Sequence, residues 1–587
     1  MKNDYIVRNV YRSFMIVCSM AMISSTVGAL VDNIVVGRFM GTEALGAMGV
    51  AMPVNFLFMA LGTLCASGGA IMLSQALGQG NMNRVWNIFS TAIVFDVVSG
   101  VLIIVLGQIF IRQIASVLGA EGALTELTVQ YLRGFLLSAP PIIALGVLMQ
   151  FIQIDGSTRL SLLATITMTV SDIILDLVVV AVKGGMFGMA MATTVSMYLA
   201  VAVTCVHFTR KNCSLKFVRP SEPIKLLGQM IKTSLPAVSI MAGELLRTTI
   251  FNNWLVVISI SAVAALNVRG QAQNIVGAIA LGGAQAIAAM IAMFFGEEDR
   301  DAIRGSLKSA LKQGIAVTAV VGAVVAAAPF VFPVLMGVTE GEALSMANMA
   351  VRCLAIGLPL RFVNLLLSQY YQSIGRTRLA IFISLMEVFI ASVIVAAILK
   401  GTMGADGIWL SFLIGEILTL IITLAVVWFM GKRGSLMDRI MMLPDDFGGK
   451  DEDRLSVSIG NSMDDVMEMI KTAYTFGEEH GIDKSTLDKL SLCIEELAGN
   501  IVQYAFKPGE KRWFDILIYI KGDRLFLRMR DNGSPFDPLV YLREKAKDDP
   551  AAGIGLKIIN GITENFEYHS GIGLNVSVMT LKIKVII

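Results

Sequence analysis

Two groups of residues in the 587-residue chain have the types and spacing to do chemistry. The first is set in apolar surroundings. Asp172 and Asp176 are four apart in the run Ser171-Asp-Ile-Ile-Leu-Asp-Leu-Val178, hence on one helical face, and Asp32 interrupts a second run, Ala29-Leu-Val-Asp-Asn-Ile-Val-Val36. An ionisable residue inside a membrane helix is costly and reads first as functional, and carboxylates brought together can hold a proton or a sodium ion. The plainer reading sets one of them at a span edge or against a buried arginine. For Asp172 the plainer reading stands close behind the functional one; for Asp32 and Asp176 the functional one is preferred.

The second group lies near the C-terminus. Glu496 and Asn500 are four apart, so both project from one helical face. Asp531-Asn-Gly533 leaves an alternating stretch into a glycine turn, and Gly553-Ile-Gly555-Leu556 opens a helical one. A glycine-flanked helix N-terminus suits phosphate, an asparagine can hold magnesium, and a nearby carboxylate can accept a proton. Singly these are commonplace, since GxG pairs usually mark turns and helical Glu and Asn usually face solvent; their order and spacing together are specific.

Positioning the first group requires membrane helices. The chain is 55% hydrophobic with mean hydropathy +0.71, more than a soluble protein of this length needs. The 47 basic and 45 acidic residues nearly cancel, which argues against a nucleic-acid binder. Six scattered cysteines and three distant histidines show no metal-ligand spacing, which argues against disulfides and a zinc site. Lys2, Arg8 and Arg12 precede an apolar stretch that reads as a first membrane helix and not as a cleaved signal.

Twelve apolar spans are expected between about residues 13 and 430, the seventh near 229–258 and the ninth near 307–336. Loop basics such as Arg84, Arg159, Arg210, Lys211, Arg300, Arg376, Lys432 and Arg433 collect on one side, which predicts an inner-membrane, multi-pass protein with both termini cytoplasmic. Gln150-Phe-Ile-Gln153, Gly156 and Thr158-Arg-Leu160 recur as Gln369-Tyr-Tyr-Gln372, Gly375 and Thr377-Arg-Leu379, at a constant offset of 219 that also relates Gly188 to Gly407. The membrane part is therefore two copies of a six-helix unit in the same orientation, with a central cleft between lobes that rock. The copies differ in charge: Asp172 and Asp176 align with Ala391 and Val395, and Asp32-Asn33 with Asn252-Asn253. The second lobe has its own charges in Glu244, Arg247, Arg269, Arg361, Glu387 and Glu416. Glu244 either pairs with a nearby arginine or meets a cationic or polar substrate.

Val31-Asp-Asn-Ile-Val-Val-Gly-Arg38, Gly41-Thr-Glu-Ala-Leu45, Ser74-Gln-Ala-Leu-Gly-Gln-Gly80, Asp155-Gly-Ser157, Leu175-Asp176 and Gly188-Met-Ala-Met-Ala-Thr193 together resemble the multidrug and toxic compound extrusion (MATE) family over residues 1–432. The resemblance implies export coupled to protons or sodium, with Asp32 and Asp176 as the cation site and Thr193 as a further polar member. It also implies a substrate cleft that Glu244 and Arg361 border. Family members often have Asn four residues before the fifth-span acid, where this chain has Asp172, and the tenth-span acid of some members is missing, with Arg361 and Asn364 on that helix instead.

Beyond Trp428 the apolar runs stop. The expected organisation is a first lobe at 1–210, a second at 211–432, a linker at 433–454 and an α/β sandwich at 455–587. Strands are expected at Leu455–Ile459, Phe514–Ile520 and Leu525–Arg530, and helices at 462–479, 485–506 and 554–565. The motifs of this part resemble the N, G1 and G2 boxes of GHKL ATPases, and its size resembles the anti-sigma-factor serine kinase branch. That resemblance implies ATP with Mg2+, the metal held by Asn500, Glu496 as general base, and Asp531 on the adenine amino group. Gly533, Gly553, Gly555 and Leu556 would line the nucleotide turns, and 537–552 would form a lid. Where members carry Gly-Thr on the final strand, this chain has Gly573-Leu574.

The leading expectation is a secondary exporter of small organic molecules with a cytoplasmic nucleotide-sensing domain. A second is a membrane receptor whose C-terminal domain phosphorylates a serine of an anti-anti-sigma-like partner and dimerises; a third, from wider kinship, is a flippase for lipid-linked precursors.

Overall fold

The computed structural model describes residues 5–120, 122–210, 213–431, 435–444, 447–507, 509–544 and 553–583, without the side chains of residues 33, 42, 45, 123 and 451. Residues 545–552 of the expected lid, and Lys2, Lys211, Lys432 and Arg433 of the charge pattern, lie outside the described residues.

Each apolar run forms one long helix. The first lobe comprises α1 (Tyr5–Phe39), α2 (Thr42–Gly78), α3 (Met82–Ile109), α4 (Leu124–Ile154), α5 (Thr158–Ala181) and α6 (Gly185–Cys205). The second comprises α7 (Pro223–Ile258), α8 (Ile260–Gly296), α9 (Arg300–Ala327), α10 (Gly341–Ser373), α11 (Thr377–Met403) and α12 (Ala405–Met430). Eleven of these are long and apolar enough to cross a membrane. The twelfth, α7, falls short because Glu244, Arg247, Asn252 and Asn253 lower its hydropathy, although it packs in its place in the repeat. The ninth span is earlier than expected: Asp299 caps α9 by accepting from Ala302 N at 3.0 Å, and the helix stops at Ala327 before a separate turn at Val331–Leu335.

The lobes meet along one half of their length. Gly78 of α2 and Gly296 of α8 let the helices touch: a Cβ on Gly78 would fall 2.1 Å from Met293 O, and one on Gly296 2.2 Å from Gln75 O. Gln75 Nε2 donates to Ser373 O (2.7 Å), Gln372 Nε2 to Ser67 Oγ (3.0 Å) and Gly68 N to Ser234 Oγ (2.8 Å). Among the described residues, the interlobe hydrogen bonds reach outward only to Thr26 Oγ1 and Asn274 O, at 3.4 Å. The seam is closed at the end that carries the C-terminal domain.

The segment expected as a linker contains a helix, α13 (Leu436–Met441), started by a capping box of Ser435 and Asp438. Tyr370 Oη and Tyr371 Oη donate to Met441 O and Ile440 O (2.8 and 2.9 Å), and Arg376 donates to Met442 O (2.8 Å), so the connection is fastened to α10. The C-terminal domain is an antiparallel sheet of β1 (Arg454–Gly460), β2 (Trp513–Lys521), β3 (Arg524–Asp531), β4 (Asn565–Gly571) and β5 (Leu574–Lys582), in the order β1-β2-β3-β5-β4. The helices α14 (Met463–Glu479), α15 (Lys484–Asn500), α16 (Pro538–Glu544) and α17 (Ile554–Ile562) complete it. Strand β4 is an addition to the sequence-based expectation, and β5 is the final strand that the resemblance implied at Gly573-Leu574. Phe514, Ile516, Ile518, Leu525, Leu527 and Met529 form the domain core, while the alternate residues of β2 and β3 face the transmembrane bundle.

Candidate functional sites

In the first lobe α5 turns Asp172 and Asp176 inward, 6% and 1% exposed, toward Asp32 on α1. Asp32 is within hydrogen-bond reach of both. Asp172 accepts from Ser196 Oγ at 3.1 Å, and the Thr193 side chain lies beside it, both on α6. Asp176 has no such help: neither of its oxygens, nor Asp32 Oδ1, meets a hydrogen-bond partner. Among the described residues no basic side chain pairs with any of the three. Carboxyls this close, with both oxygens of Asp176 and one of Asp32 lacking a donor and no counter-cation among the described residues, are stabilised by a proton or a metal cation between them, and a set of oxygen ligands alone fits either. The four residues expected here, Asp32, Asp172, Asp176 and Thr193, are thus brought together.

The second lobe differs. Glu244 contacts Arg247 Nη2 (3.4 Å) and accepts from Gln273 Nε2 (2.6 Å), while its side chain stays partly exposed. Arg269 donates to Gln273 Oε1 (3.0 Å) and lies 3.3 Å from the centre of the Phe412 ring. Arg361 meets Glu387 (3.5 Å), and Asn364 donates to Glu416 Oε2 (2.8 Å). Glu387 sits on a π-turn at Met386–Ile390, whose Val388 O accepts from Arg247 Nη1 (2.7 Å). Acids and arginines balance one another here, so Glu244 and Arg361 belong to an internally paired network.

One buried acid and one cluster escaped sequence reasoning. Asp96 on α3 is fully buried, and neither carboxylate oxygen has a partner. A lone acid in Ile93-Val-Phe-Asp-Val-Val98 was the available signal. Asp155, His207 and Cys213 offer ligand atoms within 4.8 Å of one another. His207 is already occupied, its Nε2 2.7 Å from Asp155 Oδ2 and its Nδ1 2.8 Å from Ser157 Oγ. With Ser214 N donating to Asp155 (3.0 Å), the network staples the end of α6 to the α4–α5 turn.

In the C-terminal domain the three motifs converge. Asn500 ends α15 and donates to Glu496 Oε1 at 3.4 Å; a π-turn at Ile501–Ala505 follows. The Gly533 turn packs on that π-turn, where a Cβ would lie 2.4 Å from Ala505 O. Gly553 (φ 64°) starts α17, and a Cβ on Gly555 would fall 1.9 Å from the Glu496 carboxyl carbon, so only glycine lets the acid approach the helix start. The first N–H groups of α17 have no partner within the helix and lie beside Glu496, four residues before Asn500, an arrangement that fits a magnesium-bound phosphate chain.

Asp531, 6% exposed, accepts from Gly533 N (2.8 Å) and from Asn575 Nδ2 (2.9 Å). Burial pushes its carboxyl up to about 6, against the pull of these two bonds. Asn575 Oδ1 in turn accepts from Tyr568 Oη at 3.1 Å. Asn575, one residue after Leu574, thus links Asp531 to Tyr568.

The opposite face of the same sheet is a charge interface. Arg528 and Arg530 of β3 contact Glu297 and Asp299 in the α8–α9 turn: Arg528 Nη1–Glu297 Oε2 at 2.9 Å, Arg530 Nη2–Asp299 Oδ2 at 3.0 Å, and closer still Arg528 with Asp299 and Arg530 with Glu297. All four side chains are under a tenth exposed. Burial by itself would raise Asp299, but the Arg528 and Arg530 guanidiniums overrule it and hold the carboxyl well below the usual range; Glu297 is lowered by the same pair.

Comparison with known proteins bears on both halves. The chain matches the MatE family model over residues 18–178 and 236–398, more than half its length, and the histidine kinase-like ATPase domain model over residues 461–581. It is similar to the multidrug export protein MepA of Staphylococcus saprophyticus, with 25% identity covering 68% of this chain and 89% of that one. For MepA of Staphylococcus aureus the identity is 24%, covering 70% and 91%. Among solved structures, an outward-facing multidrug resistance MATE family transporter superposes with a TM-score of 0.65 at 21% identity, covering 72% of this chain and 95% of that one. The Vibrio cholerae MATE transporter VcmN gives 0.67 at 17%, covering 74% and 100%.

Proposed function

The chain belongs to the MatE family, and from that premise we propose that it is a secondary exporter of small organic, drug-like molecules, driven by protons or sodium and adjusted by an ATP-binding domain on its cytoplasmic side. The observation that carries the coupling is the Asp32–Asp176 pair, a half-buried and a buried carboxyl, in which both oxygens of Asp176 and Oδ1 of Asp32 meet no protein donor. A cation entering from outside neutralises the pair; its departure to the inside restores the repulsion, so the two lobe arrangements differ in cation affinity, which is what coupling requires. Asp172, already bonded by Ser196 with Thr193 beside it, orients α5 against α6 and shapes the site without being the group that must change its charge. The multidrug export role of the MepA relatives supports the substrate class.

In the C-terminal domain Asn500 would hold the magnesium and Asp531 would accept from the adenine amino group. The α17 N-terminus would receive the phosphates. When bound, the magnesium nucleotide supplies an electrophilic phosphoryl group; beside it Glu496 has the position of a proton acceptor. The regulatory reading is supported by the fastening of this domain to the membrane part through Glu297, Asp299 and α13. The kinase reading draws on Glu496 alone, and it requires a partner serine to reach the helical side of the sheet, since the bundle covers the other side.

The test is gradient-driven transport of an amphipathic cation in vesicles by the full chain, with Asp32→Asn and Asp176→Asn. The reading expects both to abolish dependence on the ion gradient. Unchanged, gradient-dependent transport in both removes the coupling assignment.

A further inference from the structure

The C-terminal domain touches both lobes, and the two contacts are unequal. On the second lobe it is anchored: beyond the Arg528 and Arg530 network, Arg454 Nη2 reaches Asp301 (3.2 Å), Lys521 reaches Glu298 (3.2 Å), Arg530 lies 4.6 Å from the Phe294 ring centre, and α13 is bonded to α10. On the first lobe the contacts are smaller: Tyr5 at the start of α1 packs against Trp513 of β2, ring centres 4.6 Å apart, and α2 and α4 are met by the strand pair β4–β5. Its turn enters the seam between the lobes, where Ile572 N donates to Ile154 O of α4 at 2.6 Å. A Cβ on the adjacent Gly571 would lie 3.4 Å from Ile154 O and 3.5 Å from Met293 Sδ of the second lobe.

Ile572 is an odd residue for such a place. The Gly571–Leu574 hairpin is closed by two residues with positive φ, Ile572 at 50° and Gly573 at 75°, the pattern of a type I′ turn, for which Asn-Gly is the favoured pair. A β-branched residue there is strained, and strain at a contact persists where the surroundings over-determine it. Ile572, at the tip of a hairpin, is 0% exposed. The turn thus trades its own best residue for one that buries in the seam.

We propose that the β4–β5 turn is a latch, and the sheet face behind it a docking surface whose partner is the closed seam of this chain's own two lobes. With the domain anchored to the second lobe, the latch fits the first lobe only while Gly78 and Gly296 hold the seam shut. Opening this side moves Ile154 away from Met293, so Ile572 must let go first. The domain is a strap across the entrance through which substrate reaches the cleft. The latch also lies three residues from Asn575, the partner of Asp531, which ties it mechanically to the nucleotide site. This inference rests on the exporter reading for its meaning, but its test does not.

The test uses full-length protein in inverted vesicles with Cys205 changed to Ser and a reporter cysteine at Ser67, a seam residue bonded to Gln372. Modification by a membrane-impermeant maleimide reports opening on the domain side. Ile572→Asn, which suits the turn and spares the fold, is expected to raise the rate about tenfold, the shift given by ~1.4 kcal/mol of lost docking. A disulfide between Ile154→Cys and Ile572→Cys is expected to suppress labelling until reductant restores it. Unchanged labelling in Ile572→Asn, or free labelling with the disulfide formed, overturns the latch. Labelling that follows the latch in a chain that moves no tested substrate would leave the latch standing and remove the exporter reading.

Discussion

Arg530 and Asp531 are consecutive on β3 and point to opposite faces of the sheet: Arg530 closes on Glu297 of the membrane part, and Asp531 is held by Asn575 on the side of the nucleotide motifs. One strand therefore carries the anchor of the domain and the residue expected to read adenine. No intervening hinge separates them.

The anchor can be broken from the membrane side. Glu297→Gln leaves Arg528 and Arg530 sharing Asp299, and uncompensated buried charge costs about 3–5 kcal/mol. Hydrogen exchange of the Ile572 amide, which donates across the interface to Ile154 O, is expected to quicken by orders of magnitude while the sheet-paired amides of β2 and β3 keep their protection. Equal protection in wild type and variant would show that the charge network does not hold the domain.

The seam depends on two glycines as close spacers. Gly78→Ala puts a methyl 2.1 Å from Met293 O, and Gly296→Ala does the same against Gln75 O at 2.2 Å. Either is expected to hold the domain side ajar, with fast labelling of a cysteine at Ser67 and loss of net transport. Slow labelling in both would mean that the helices meet differently.

Nucleotide affinity is expected to depend on pH through Asp531. Its carboxyl titrates at about 6 in the folded domain, and an adenine amino donor requires the ionised form. Affinity should fall as pH drops below 6 and level off above it. The folding linkage has the opposite sense: a carboxyl raised above its unfolded value makes the domain lose stability as pH rises from about 4 to 6. Calorimetric binding of a non-hydrolysable ATP analogue between pH 5 and 8 checks this, and a flat profile contradicts it.

Asn575→Leu removes the donor to Asp531 and leaves Tyr568 Oη without its acceptor. Losing a hydrogen bond to a charged group costs roughly 1.5–3 kcal/mol, so analogue binding should weaken by about tenfold or more. Wild-type affinity would mean that the bond positions nothing.

Local signals made much of this molecule legible in sequence. Apolar runs fixed the helices, the shared offset of Gly156 and Gly375 fixed the lobes, and Glu496, Asn500, Asp531 and the Gly553–Gly555 pair marked the second domain. What escaped depends on contacts between distant segments. Asn575 has meaning only because antiparallel pairing sets it opposite Asp531. Glu297 and Asp299 look like ordinary loop acids until Arg528 and Arg530 cover them. Strands β4 and β5 flank a turn whose Ile572 conceals its hairpin signature. Asp96 needed only attention to a single acid in an apolar run.

The central claim is that Asp32 and Asp176 exchange a cation with the membrane gradient while Asp172 is held by the Ser196 hydroxyl. The most direct measurement compares, in vesicles containing Asp176→Asn or Asp172→Asn full-length chain, uptake driven by a proton or sodium gradient with exchange of labelled for unlabelled substrate at equilibrium. Asp176→Asn is expected to retain exchange and lose gradient-driven uptake, and Asp172→Asn to retain both within about threefold, since the amide oxygen still accepts from the Ser196 hydroxyl. Gradient-driven uptake that survives in Asp176→Asn would contradict the account.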